Sequence, residues 1–251
     1  MIYARSGADA LAKRHEVISP GTGIRHWGTE FFGPRTSNAV GVDGPQATMS
    51  ELNPHEAIKT HFHGVSMFQL FIAGSGTLGN RQIPLRPLTI QYKDHHTAYG
   101  PVTAGEHGLS FVALRMYCGD SRPIYIHNRK EAKEKLRPST RRNLTSDQIG
   151  FSIEPVLQVR EEVSWETALE AEDGMSAKVV RLGPHMTEQA PDPKAAGGYY
   201  LFVGNGTMIH DGEELGHWSM AVVENSEEEF EIKAGDKGLE ALVLQYPSED
   251  G

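Results

Sequence analysis

The sequence predicts an all-β chain built from two copies of one strand-rich unit. Two observations carry that reading: an internal repeat at a fixed offset, and short β-prone runs punctuated by turn residues. Shifting the 251-residue chain by 130 positions matches it to itself without a gap. Pro54-His55 falls on Pro184-His185, and LFIAGSGTL (70–78) falls on YLFVGNGTM (200–208). AGEHGL (104–109) then falls on AGDKGL (234–239), and FVALRM (111–116) on ALVLQY (241–246). Glycine-bearing anchors at one offset over such a span mark a duplicated structural unit.

In chain order, the first copy offers QATMSELNP, KTHFH, MFQLFIAG, GTLGN, PLTIQY and LSFVALRM as strands. Each is rich in β-branched or aromatic residues and bounded by Gly, Pro, Asn or Asp. The second offers MSAKVVRLGP, GGYYLFVGNGTMI, HWSMAVVE, FEIK and LEALVLQYP. Helical periodicity is confined to 128–137 and to SWETALEAE (164–172). Strands at this spacing predict a sandwich or barrel, made twice. A charged stretch around 118–150, with Pro123 and Pro138, supplies the boundary. The expected division is an N-terminal barrel at 1–125, a charged linker at 126–150 and a C-terminal barrel at 151–251.

Bulk composition narrows the partners. A formal charge of −9 argues against general nucleic-acid binding, which needs a basic face. HNRKEAKEKLRPSTRRN (127–143) is a local exception, with seven Lys or Arg against two Glu, and reads as a solvated helical connector. The longest apolar runs fall far short of the roughly 20 residues that span a bilayer, so no membrane partner is expected. The N-terminus has no secretory h-region, and Cys118 is the only cysteine, so a cytoplasmic, reducing setting is expected.

The chemistry concentrates in THFHGVSMFQL (60–70). On an extended strand His61 and His63 share a face, because side chains alternate with period two. A His95-His96 doublet returns on a later strand, and six of the twelve histidines fall between His55 and His107. Neutral imidazoles from neighbouring strands suit Zn, Fe, Ni or Cu. The alternative for each is a hydrogen-bonded structural histidine. His55 recurs as His185 in the second copy, which suits a structural role.

These residues resemble the cupin superfamily. His61-Phe62-His63, then Gln69, then Gly76 six residues after an intervening gap follow its first motif, with Gln in place of Glu. His96, four positions before Gly100, follows the second motif, with His95 as the neighbouring alternative. The resemblance covers 45–117 directly and 176–247 through the repeat. It implies two double-stranded β-helix (jelly-roll) barrels and one divalent transition metal (Fe, Ni, Zn or Mn) held by His61, His63, Gln69 and His96. Gln69 is either a ligand or a hydrogen-bonded core amide. Its neutral amide would leave the metal more positive and favour an anionic ligand.

At the same offset the second copy places Pro191, Pro193, Tyr199 and Ser226 on His61, His63, Gln69 and His96, so the C-terminal barrel is expected to lack the site. Arg81, Arg86, Tyr92, Tyr99 and Arg115 lie on or beside first-copy strands, and an inward arginine would clamp a carboxylate. Met67, Phe71 and Phe111 suit an apolar wall, and Cys118 a half-buried strand end. No Gly-x-Ser-x-Gly or His-Glu-x-x-His motif is present. The resemblance therefore implies a metal-dependent enzyme on a small anionic organic molecule, with a non-haem Fe(II) dioxygenase first among its reactions. The alternative is a non-catalytic binding or sensing module. A monomer or homodimer is expected.

Overall fold

The computed structural model describes residues 2–18, 23–35 and 43–248. The chain opens with β1 (Ile2–Arg5), α1 (Gly7–Leu11), β2 (His15–Ile18), β3 (Arg25–Phe32), β4 (Gln46–Leu52), β5 (Ala57–Ile58) and β6 (His61–Phe62). It continues through β7 (Met67–Leu78), β8 (Ile83–Leu85), β9 (Ile90–Lys93), β10 (Val102–Arg115), β11 (Ile124–Tyr125), α2 (Arg129–Lys135) and β12 (Asn143–Thr145). The second copy holds α3 (Glu154–Gln158), β13 (Ser164–Glu170), β14 (Ser176–Leu182), β15 (Thr187–Gln189) and a 3-10 turn at Pro193–Ala195. It ends with β16 (Tyr199–His210), β17 (Glu213–Leu215), β18 (Met220–Val223) and β19 (Glu231–Gln245). The all-β expectation is met. SWETALE is strand β13 rather than helix: it pairs antiparallel with β14, Trp165 opposite Val180.

Two compact units form, one from residues 13–149 and one from residues 1–12 with 150–251. Both boundaries differ from the sequence division. At the start, β1 pairs antiparallel with β18 (Ile2 opposite Val223, Arg5 opposite Met220), so the N-terminal strand belongs to the second unit. At 126–149 the chain is no free linker: β12 pairs with β9, Leu144 opposite Tyr92. Asp94, with its side chain only 3% exposed, pairs with Arg142 at 2.9 Å and accepts from the Arg142 backbone N–H at 2.7 Å. Thr140 also donates to it. Burial would push that carboxyl up, and these three donors outweigh it and hold it below the ordinary aspartate range.

In the first unit, the main sheet has the order β12-β9-β7-β10-β4-β3-β2, and β6 with β11 makes a separate ribbon. Its core is Leu52, Met67, Phe71, Leu85, Val102 and Leu109 with their neighbours. Each such side chain, fully buried, contributes about 1.5–3 kcal/mol. In the second unit, the order is β1-β18-β16-β19-β14-β13. Both units bulge where two glycines meet. Gly74 and Gly108 have φ of 74° and 76°, and a Cβ on Gly74 would lie 2.3 Å from the Gly108 carbonyl. Gly206 and Gly238 repeat this, with φ of 70° and 73°.

That second pair corrects the alignment. Gln69 lies opposite Gln91 and Ala113, and the residue opposite Ala221 and Val243 is Leu201. β9, β10, β18 and β19 keep the offset of 130 there, while β7 and β16 differ by 132. The structural counterpart of Gln69 is therefore Leu201, not Tyr199. Two extra residues taken up near the 3-10 turn, before β16 begins, produce the slip. His55 and His185 both sit at positive φ, 64° and 61°, and donate backbone N–H to Gly105 and Gly235. They are equivalent turn residues.

Candidate functional site

The first unit holds a partly open cavity of about 110 Å³ whose walls include His61, His63, Gln69, Tyr99, Phe111 and Arg115. β6 brings the two histidines there. Its His61 exchanges backbone hydrogen bonds with Tyr99, at 3.1 and 3.0 Å. Period-two alternation then puts both imidazoles inside and Phe62, fully buried, on the opposite face. Their ring centroids are 5.0 Å apart and nearly perpendicular.

Both tautomers follow from the backbone. His61 Nδ1 lies 2.7 Å from the Lys59 carbonyl, and His63 Nδ1 lies 2.6 Å from the Ser121 carbonyl. A carbonyl only accepts, so each Nδ1 carries the proton and each Nε2 keeps its lone pair. His63 Nε2 accepts from the Tyr99 hydroxyl at 3.2 Å and faces an Arg115 guanidinium nitrogen at 3.5 Å. Burial pushes His61 down to about 4; the Lys59 carbonyl opposes this, and Lys93 and Arg115 add to it. Burial, then Arg115 and His61, drive His63 well below the histidine range. Both rings are neutral at pH 7.

Lys93 and Arg115 are the cationic side chains behind these shifts. Arg115 ends β10, is 2% exposed, and donates to Gln46 Oε1 at 2.7 Å. Lys93 ends β9, is 1% exposed, donates to Gln69 Oε1 at 2.5 Å, and lies 3.8 Å from the Tyr99 ring centre. Burial, then Arg115, holds its ammonium well below the usual lysine range. Burial likewise raises the Tyr99 phenol.

Of the four expected metal donors, His61, His63 and Gln69 reach the cavity and His96 does not. β9 stops at Lys93, and His96 sits in the following turn at φ 56°, its N–H bonded to the His63 carbonyl at 2.6 Å. Its ring packs 5.9 Å from Phe62, on the face away from the two imidazoles, and lies 2.7 Å, Nδ1 to Nδ1, from His95. His95 is its neighbour there and does not replace it. The inward position at the end of that strand belongs to Lys93. Among the inward candidates, Tyr99 and Arg115 line the cavity. Arg81 and Arg86 are exposed, and Tyr92 stacks on Phe68 on the opposite face from Lys93, with ring centres 4.9 Å apart.

Two imidazoles with unprotonated Nε2 atoms suit a metal, and the rest of this donor set does not. The Gln69 oxygen is engaged by Lys93, and a guanidinium stands where a further ligand would approach. Among the described residues, no three His, Cys, Asp or Glu side chains come together to hold an ion. Sequence reasoning missed Lys93, because the adjacent histidine doublet drew the assignment. The signal was its parity: Lys93 lies opposite Met67, whose strand mates Gln69 and Phe71 point inward. His26 and Arg35 also line the cavity and were missed; Arg35 pairs with Glu30 at 3.0 Å.

No family model and no curated protein matches this chain. Solved structures do. A candidate dioxygenase from Nostoc punctiforme aligns over 100% of this chain and 84% of its own, with a TM-score of 0.64 and 11% identity. The bacterial pirin YhhW from Escherichia coli, in complex with nickel(II), aligns over 98% and 99%, with a TM-score of 0.58 and 12% identity. Oxalate decarboxylase from Bacillus subtilis, with Mn(II) centers, aligns over 100% and 78%, with a TM-score of 0.58 and 11% identity. The chain has the cupin fold. Two of these three fold neighbours hold a divalent metal. Among the described residues, no helix is long and apolar enough to cross a membrane.

Proposed function

We propose that the first unit binds a small organic anion through a carboxylate. One observation carries the reading: a buried guanidinium, Arg115, faces a cavity that no Asp or Glu lines among the described residues. An entering carboxylate would offer Arg115 a charge-assisted partner, bidentate where geometry allows. Tyr99 adds a hydroxyl beside it. The neutral Nε2 atoms of His61 and His63 add proton acceptors, suited to hydrogen-bonding a ligand hydroxyl or to removing a proton next to the carboxylate.

A second reading, metal-dependent oxidation of such an anion, keeps one observation in its favour. Both imidazoles anchor Nδ1 to carbonyls and turn Nε2 inward, as ligating histidines do. His61 and His63 would hold the ion, and it would supply Lewis acidity towards the bound anion.

Calorimetric titration with acetate, glycolate and pyruvate, in chelator, separates the two. Binding that persists in chelator and weakens in Arg115→Gln by about 2–5 kcal/mol supports the carboxylate reading. Binding that appears only with one equivalent of Fe, Ni, Zn or Mn, and is lost in His61→Ala, overturns it for the metal-dependent one.

A further inference from the structure

The polar groups left open in the first unit also fix what the anion carries beside its carboxylate. This rests on the reading that Arg115 takes that carboxylate. Lys93 settles the first of these groups. An ammonium only donates, so its 2.5 Å bond identifies the facing Gln69 atom as the amide oxygen. The amide NH2 of Gln69 is then its open polar group, a donor. Arg115 lies two positions along β10 from Ala113, the residue opposite Gln69. Guanidinium and amide are therefore diagonal neighbours on one inward face, about 7–8 Å apart at the backbone and within joint reach of one carboxylate.

His61 supplies the opposite kind of group. Its Nδ1 is anchored on the Lys59 carbonyl, and its Nε2 has no hydrogen-bond partner among the described residues. The residue is 4% exposed and lines the cavity, so this lone pair is set against the ligand space. His63 differs, because its Nε2 already accepts from the Tyr99 hydroxyl. A buried acceptor left without a donor costs free energy, so the ligand atom beside His61 is one with a proton to give. A carboxylate or a ketone has none, whereas a hydroxyl or an ammonium does. An ammonium would meet the Arg115 cation with no carboxylate of the wall to offset it among the described residues. The donor is thus a neutral hydroxyl.

Size limits the rest. The cavity, at about 110 Å³, is smaller than the roughly 150 Å³ that admits benzene. A short chain fits inside it and a ring does not. We propose that the site takes a short hydroxy acid, its carboxylate between Arg115 and the Gln69 amide and its hydroxyl donating to His61 Nε2.

The test is calorimetric titration of the intact protein, in chelator, with glycolate, acetate, glycine, lactate and pyruvate. Glycolate is expected to bind at least about tenfold tighter than acetate, which leaves the His61 acceptor bare. Lactate is expected to exceed pyruvate by a similar factor, because a ketone turns its own lone pairs towards that of His61. Glycine is expected to bind more weakly than glycolate. In His61→Phe, which keeps a ring and removes the acceptor, the glycolate-to-acetate and lactate-to-pyruvate ratios are expected to fall to near one. Thermal melts check that the variant folds; if it does not, the ligand pairs on the native protein decide alone. Acetate matching glycolate, pyruvate matching lactate, glycine matching glycolate, or ratios unmoved in folded His61→Phe overturn the hydroxyl assignment and leave the carboxylate reading standing. Failure of every carboxylate to bind overturns both.

Discussion

The two units share one register and fill it with opposite chemistry. In the first, Gln69, Lys93 and Arg115 occupy inward positions of β7, β9 and β10. In the second, the same register positions carry Leu201, Val223 and Gln245. Around Leu201 and Val223 the second interior is Val203, Ala221, Ala241 and Val243, all within 1% of full burial. The fold therefore does not require buried cations at these positions, because one copy is built without them. Burying Lys93, Arg115 and two imidazoles costs desolvation energy that the apolar copy avoids. A cost carried by one copy and not by its twin points to use rather than architecture.

The largest expected effect comes from forcing the second interior to imitate the first. Leu201→Gln puts an amide among Val203, Ala221 and Val243, with no lysine at Val223 to donate to it. Lost apolar burial plus an unsatisfied amide predicts destabilisation of about 3–5 kcal/mol, read by denaturant melts. A loss under 1 kcal/mol would show that polar residues are tolerated in this interior, and the contrast between units would lose its meaning.

Next in size is a pH effect confined to the first unit. The folded-state pKa of His61 lies at about 4, below its unfolded value. The unfolded chain thus binds more protons between pH 4 and 6.5, and stability falls as pH drops through that window. His61 alone is worth on the order of 3 kcal/mol at the acid end, with His63 acting in the same direction. Asp94, held low, adds its own loss only beneath the ordinary aspartate range. Calorimetry from pH 7 to 4 is expected to lower a first-unit transition, and His61→Phe to flatten that slope. An unchanged slope in the variant would mean that His61 is not a buried neutral ring.

A smaller effect tests where the first unit ends. Arg142→Met removes the partner of a 3%-exposed carboxylate while leaving its Thr140 and backbone donors. A loss of about 1.5–3 kcal/mol is expected, together with faster amide exchange across Asn143–Thr145. Unchanged stability and exchange would return 126–149 to the status of a free linker.

How much of this was legible beforehand depended on the kind of signal. Turn glycines repeat because their positive φ is demanded twice, so the duplication could be read directly. The slip from 130 to 132 could not, because its cause is two extra residues near a turn rather than a change within a strand. His61 and His63 were legible through period two alone. His96 was misplaced because period two fails in turns: its positive φ turns the ring onto Phe62. Arg115 stood among three candidate arginines, and only the pairing with Gln46 and β4 fixes which of them points inward. The four residues of β1 carry too little pattern to reveal that they pair with β18, more than 200 positions away.

The smallest effect bears most directly on why the interiors differ. Lys93→Met gives the first unit an apolar residue at the position the second fills with Val223. Two contributions oppose each other. The variant loses the hydrogen bond to Gln69, about 1 kcal/mol, and leaves that amide oxygen without its lysine donor. It also loses a buried amine whose folded pKa lies well below its unfolded one. That depression penalises the folded state at low pH, where both forms are charged, and fades as pH rises towards the unfolded value near 10.4. Near neutrality the two act in opposite directions, and the net change carries both. The informative quantity is its slope: Lys93→Met gains on the native protein as pH falls and loses the gain as pH rises to 10. Denaturant melts at pH 6, 8 and 10 measure it. A variant equally destabilised at all three would mean that Lys93 is held in the interior for its packing and its bond to Gln69, and the polar interior would then need no ligand to explain this residue.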